Sequence, residues 1–373
     1  MGGSRLIAFL ASIPLAVSAP AQESADAKLL RQARELDRRI VVFDSHVDLP
    51  FDYPGASEDG KTQLDLPKVE RGQLKGAAVA VFVPQGLRTP EGYAKARQDA
   101  EKKLALIKGI AEQNPSRATL AYSPGDVRRI AAQGKFAVVV SLLNAYPLGA
   151  DLSQIDAWYQ RGVRVFGFVH AGHNDWADSS RPSKALGNTP EEHGGLSELG
   201  KLGVARLNEL GMLIDVSQLS TPAFRQVLSL TKAPVVATHS GVKGLVDNPR
   251  NLSDEELELL KKNGGVVQVV AFSNYLRMVP KDVPAASAPR GTVAQLVDAI
   301  TYAVKTIGIE HVGIASDFNH GGGVLGWDDE GECQNVTAEL LRRGYSRKDI
   351  AKLWGGNFLR VWAEAQKAGK AVH

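Results

Sequence analysis

Eight short runs of apolar and β-branched residues recur along the chain, at 40–46, 76–83, 136–142, 164–169, 212–217, 233–238, 265–272 and 311–316. Between them the apolar positions change to an i, i+3, i+4 spacing, over Tyr93 to Gln113, Leu152 to Arg161, Leu196 to Leu210, Thr221 to Leu230, Ser253 to Lys262 and Thr292 to Ile307. The first pattern predicts short buried strands and the second predicts helices that lay one face on a sheet. Ser253-Asp-Glu-Glu256 and Ser346-Arg-Lys-Asp349 read as capping boxes at two helix starts. Strand and helix thus alternate eight times, which argues for parallel strands joined by right-handed crossovers, and eight such units are what a closed (β/α)8 TIM barrel requires. An open doubly wound sheet is the alternative. No Pro-, Gly- or Ser-rich linker, internal repeat or low-complexity tract divides the chain, and Pro280 to Arg290 reads as a surface loop. A single α/β domain over residues 22–373 is expected, with 24–38 as an extra N-terminal helix.

Residues 1–21 stand apart from this pattern. Arg5 gives a positive start, Leu6 to Ala16 an apolar stretch, and Ala19-Pro20-Ala21 a small-x-small cleavage site before Gln22. This is the make-up of a signal peptide, so the mature protein is expected in the periplasm or the medium. The apolar stretch is short and interrupted by proline, which argues against a membrane span. Cys333, the only cysteine, is far from the signal and cannot serve as an N-terminal lipid anchor. One cysteine also excludes an intramolecular disulfide, so stability rests on core burial, for which 44% hydrophobic residues suffice. The formal charge of +3 is interspersed along the chain, and no basic stripe suggests nucleic acid.

In a barrel enzyme the chemistry lies where strands end at their carboxyl edge. Read off the sequence, that edge carries His46 and Asp48, then Asn144, His170, Gln218, Thr238 with His239, and Asp317. Side chains alternate along a strand, so His46 and Asp48 point the same way, and imidazole and carboxylate are both ligands for a divalent metal. Each histidine alone reads as well as a hydrogen-bonded, partly buried residue. Their joint placement at strand ends points to a metal-dependent hydrolase. His311 begins its strand and His373 ends the chain, so both are expected to be structural or solvent-exposed.

A set of ordered motifs carries a family resemblance: Asp44-Ser-His-Val-Asp-Leu-Pro50, Asn144-Ala-Tyr-Pro-Leu-Gly149, Val169-His-Ala-Gly-His-Asn-Asp175, Gly195-Leu-Ser197, Leu213-Ile-Asp-Val-Ser-Gln218, Ala237-Thr-His-Ser240, Arg250-Asn251, Ala315-Ser-Asp-Phe318 and Trp354-Gly-Gly-Asn-Phe-Leu-Arg360. In these the chain resembles the membrane (renal-type) dipeptidases, zinc-dependent barrel hydrolases of the amidohydrolase-like superfamily. The resemblance implies that His46, Asp48 and His239 bind metal and that Asp317 is the catalytic aspartate. It implies that His170 contacts the substrate and stabilises the tetrahedral intermediate, and that Arg250, with Asn251, binds the substrate, the guanidinium holding the dipeptide's C-terminal carboxylate.

Two ligands that the family supplies are missing. Its bridging glutamate aligns with Leu143, or with Asn144 if the alignment slips by one, and its fifth-strand histidine aligns with Gln218, at best a weak metal ligand. The Asp-Gly that follows the catalytic Asp-Phe in many relatives is here Asn319-His320. Two close dications repel strongly without a bridging anion, so one zinc ion with an open water position is expected. The leading expectation is an exported metal-dependent dipeptidase acting on a dipeptide-like small molecule, with homo-oligomer formation left open. The alternatives are a ligand-binding or maturation factor with a degenerate site, and a hydrolase of another small amide or lactam. The signal segment yields one direct prediction: intact mass of the exported form shows a chain beginning near Gln22, and a cytoplasmic protein retaining residues 1–21 would contradict it.

Overall fold

The computed structural model describes residues 24–278, 283 and 288–370. The proposed signal segment, most of the loop expected at 280–290, and His373 lie outside the described residues. Among the described residues there are ten strands: β1 (Val42–Val47), β2 (Leu74–Phe82), β3 (Ala118–Leu120), β4 (Phe136–Leu143), β5 (Val163–Gly167), β6 (Leu213–Asp215), β7 (Val236–Val242), β8 (Asn251–Leu252), β9 (Val266–Val270) and β10 (Val312–Ala315). Eight of them run parallel in the order β1-β2-β4-β5-β6-β7-β9-β10. The ring closes where Val47 bridges Phe318 in parallel. There the Asp48 N–H donates to the Phe318 carbonyl at 3.0 Å and the Asp317 N–H to the His46 carbonyl at 3.1 Å. This is the (β/α)8 barrel expected, and its eight strands fall on the eight apolar runs.

The other two strands have no apolar run because they are too short to show one. β3 pairs with the start of β4, Ala118 opposite Phe136, and β5 takes over that edge from Val140 onward. β8 lies beside the end of β7, Gly241 opposite Asn251. The N-terminal helix runs over Ala25–Asp37 and packs on the helix Cys333–Arg342. The capping box at Ser253 forms with Glu256 as expected. At Ser346 the hydroxyl accepts from the Asp349 N–H, but the Asp349 carboxylate turns to the Ser346 hydroxyl, being one methylene shorter than a glutamate that would reach the backbone. His311 is structural, its Nδ1 lying 2.8 Å from the Gly265 carbonyl.

After β2 the chain forms the long helix Pro90–Glu112, capped by Thr89, whose buried face comprises Ala96, Ala100, Lys103, Leu104, Ile107 and Ile110 with Ala111. A lysine interrupts the apolar pattern of that stripe. The strands themselves are buried almost throughout, as parallel strands covered by helices must be.

The carboxyl edge is where backbone strain collects. Asn144, Gln218, Asp317 and Asn319 adopt left-handed φ angles of 76°, 72°, 58° and 62°, just past β4, β6 and β10. For non-glycine residues this costs on the order of 1–3 kcal/mol each and persists only where the surroundings enforce it. Past β10 a backbone hydrogen bond closes the turn: the Gly322 N–H donates to the Asp317 carbonyl at 2.9 Å. A Cβ on Gly322 would lie 2.1 Å from the Ser316 oxygen and 2.4 Å from the Asp317 oxygen. Gly322→Ala is therefore expected to push this turn outward and to destabilise the protein by about 1–3 kcal/mol. Thermal denaturation checks it, and an unchanged Tm would show that the turn yields without cost.

Candidate active site

His46, at the end of β1, His239, within β7, and Asp317, after β10, meet at the carboxyl edge. The two imidazoles stack at 3.9 Å between centroids with 19° between planes. His46 Nε2 lies 3.7 Å from Asp317 Oδ1, and one ligand atom from each of the three residues falls within 4.8 Å of the others. His46 Nε2 and Asp317 Oδ1 are both buried and lack a hydrogen-bond partner. Buried polar atoms are rarely left this way, and a nitrogen lone pair facing a carboxylate oxygen is the donor set a divalent cation satisfies.

The protonation states suit that use. Burial, followed by the charges of His320 and Arg250, pushes His46 down to about 3. Burial and then His46 and Arg250 hold His239 well below the ordinary value, so both rings are neutral and can offer lone pairs. Burial raises the Asp317 carboxyl well above the usual range, with the Arg250 guanidinium pulling the other way. A dication beside it would reverse that balance.

His239 is held from behind. Thr238 Oγ1 donates to Asp215 Oδ2 at 2.6 Å and lies 2.8 Å from His239 Nδ1. The hydroxyl therefore accepts from Nδ1–H, which leaves the Nε2 lone pair facing the pocket. The Gln218 amide nitrogen lies 3.0 Å from that Nε2, and the Gln218 Oε1 accepts from Arg181 Nη2 at 2.6 Å. The amide is thus oriented from both ends, its nitrogen toward His239.

Several expected site residues are placed otherwise. Asp48 does not join the three-residue group: its Oδ1 accepts from Lys103 Nζ at 3.0 Å and from the Leu49 N–H at 2.8 Å, and its Oδ2 lies 3.7 Å from His320 Nδ1. Burial raises the Asp48 carboxyl, with Lys103 the largest opposing influence. Gln218 presents an amide N–H rather than a lone pair, so as oriented it offers nothing to an ion. Leu143 packs with Ala80 and Phe82, and the Phe82 ring lies 4.4 Å from that of His170. Asn144 does not replace the missing carboxylate either: its Nδ2 donates to the Val83 carbonyl at 3.0 Å and its Oδ1 accepts from Asn174 at 2.9 Å. Among the described residues the one group of three converging ligand atoms is His46, His239 and Asp317, and no carboxylate stands at position 143 or 144 to bridge it to Asp48 and His320.

Elsewhere on the same edge, His170 is held neutral by burial and then by Arg181, whose Nη2 lies 3.4 Å from His170 Nε2. Arg250 is only 2% exposed, donates from Nη2 to the His239 carbonyl at 2.8 Å, lies 5.4 Å from the Tyr275 ring centroid, and keeps a buried Nε with no partner. Burial lowers its pKa. Asn251 is a brace: its Nδ2 donates to the carbonyls of Val246 at 2.9 Å and Tyr275 at 3.0 Å, which fixes the loop that carries Arg250. Lys103 and Arg181 escaped sequence reasoning. Lys103 announced itself only as a charge in an apolar helical stripe, and Arg181 lies in a long loop with no periodicity to read.

Residues 30–373 match the family model for the membrane dipeptidases, peptidase family M19. The chain is similar to the structure of the probable dipeptidase PvdM from Pseudomonas aeruginosa, at 47% identity and a TM-score of 0.88, over 91% of this chain and 99% of that one. It is 30% identical to the dipeptidase aclJ of Aspergillus oryzae over 83% of this chain and 72% of that protein. A metallopeptidase from Rhodobacter sphaeroides, solved with a phosphinate mimic of the dipeptide L-Ala-D-Ala, shares the fold with a TM-score of 0.77 at 23% identity, over 87% and 99% of the two chains. The barrel, the ordered motifs at its carboxyl edge and these matches agree, and the chain belongs to the membrane dipeptidase family, peptidase family M19.

Proposed function

We propose that the protein is an exported metal-dependent dipeptidase working with a single divalent ion, zinc being the natural choice for a site of two imidazoles and one carboxylate. The observation that carries this reading is the unpartnered pair His46 Nε2 and Asp317 Oδ1, buried beside His239. Bound there, an ion would polarise a scissile carbonyl and make a water nucleophilic at neutral pH. The chain supplies the rest. Asp317, kept ionised by the cation's charge, takes a proton from the attacking water and returns it to the leaving amine. His170 hydrogen-bonds the oxygen on which charge develops. Arg250, buried with an unused Nε donor, holds the carboxylate of the second residue, and Asn251 keeps its loop in place. Export rests on the make-up of residues 1–21. Among the described residues no helix is long and apolar enough to cross a membrane.

A second reading, a dipeptide-like ligand held without hydrolysis, draws on the Gln218–His239 hydrogen bond and the Lys103–Asp48 ion pair, which satisfy two family ligand positions without an ion. Metal content measured with turnover of a dipeptide panel separates the two. On the dipeptidase reading, protein purified without chelator holds at most one tightly bound ion per chain and loses turnover when the ion is removed; two full-occupancy ions would overturn the one-ion site. Arg250→Ala is expected to raise KM for free dipeptides about 10- to 100-fold, a loss of roughly 1.5–3 kcal/mol, with much less effect on amidated ones. Equal losses on both substrate types would assign Arg250 to structure alone.

A further inference from the structure

Lys103 is the least expected charge in the molecule. Its side chain is 4% exposed and Asp48's is 3%, with 3.0 Å between Nζ and Oδ1. The same ammonium donates to the Leu49 carbonyl and lies 4.6 Å from the Phe51 ring centroid. Carboxylate, carbonyl and aromatic face thus form a socket for one cation, built from the residues that follow β1 and filled from the helix Pro90–Glu112. Burying a lysine is expensive, and such a pair persists only with good geometry and further hydrogen bonds. Asp48 lies two residues past His46, so this socket adjoins the three-residue metal group.

We infer that the Lys103 ammonium is a chain-borne cation doing the electrostatic work that a second metal ion does beside a dinuclear centre. The inference rests on the proposed one-ion site only for the other half of the pocket. Charge matching supports it. A second dication needs a bridging carboxylate to offset its repulsion with the first, and Leu143 supplies none. A monovalent ammonium needs only one carboxylate, and Asp48 is that carboxylate. On the other side of the pocket the Gln218 amide donates an N–H to His239 Nε2, at the position where the family resemblance implies an imidazole. Leucine, glutamine and lysine thus act together: a negative bridge, an imidazole and a dication are replaced by an apolar side chain, a neutral amide and a tethered monovalent cation. Lys103 is a positioning residue in this scheme, since it fixes Asp48 and touches no reacting atom.

The test is a double-variant cycle on the full mature chain in chelator, with Lys103→Met, Asp48→Asn and the two combined. Each single variant strands one buried charge and is expected to lower Tm by about 5 °C or more. The combined variant removes both charges and is expected to recover at least half of that loss. Added zinc is then expected to raise the Tm of Lys103→Met well beyond its effect on the combined variant, because only the former has a free carboxylate awaiting a cation. Should Lys103→Met give no soluble protein, the comparison of Asp48→Asn with the combined variant decides, the combined one being the more stable if the inference holds. Additive losses, equal zinc shifts in the two variants, or two ions in the wild-type protein would overturn it. Wild-type protein that binds no ion yet shows the coupling would instead remove the metal-dependent reading and leave the inference standing.

Discussion

The site depends on the pairing of the first strand with the last. Without the backbone hydrogen bonds from Asp48 to Phe318 and from Asp317 to His46, the sheet would be an open ribbon. With them, residues about 270 positions apart become immediate neighbours. The seam passes through the functional residues themselves, so the contacts that complete the barrel are the ones that set His46 against Asp317. Pairing between chain ends is entropically costly, and the buried strands on either side hold it closed.

Electrostatics at the edge follows from burial more than from any single partner. Four histidines are pushed toward neutrality by loss of water, and Asp48 and Asp317 are pushed toward protonation. Arg250 and Lys103 pull the carboxylates back. The pocket is therefore poised: its imidazoles are ready to ligate, while its carboxylates become ready as positive charge approaches.

The barrel was legible because parallel strands covered on both faces leave uninterrupted apolar runs, and all eight did. β3 and β8 stayed hidden because pairs of two or three residues carry no period. Within the site, His46, His239 and Asp317 could be read from their position after apolar runs, and Leu143 and Gln218 from what they replace. The partner of Asp48 could not, since nothing in a β1 sequence says which helix will lie over it. The left-handed turns at Asn144, Gln218 and Asp317 were equally silent, because none is a glycine.

One further consequence concerns the row of hydrogen bonds from Arg181 through Gln218, His239 and Thr238 to Asp215. Arginine and an amide nitrogen can only donate, so the Arg181 end alone dictates the direction of the hydrogens through neutral His239 to Thr238. The row has a single arrangement and cannot reverse. An ion arriving at His239 does not fill an empty place; it displaces an amide already seated there. Occupancy of this centre is consequently an exchange, decided by how the ion's affinity compares with that of a tethered competitor whose orientation is set from a guanidinium two links away.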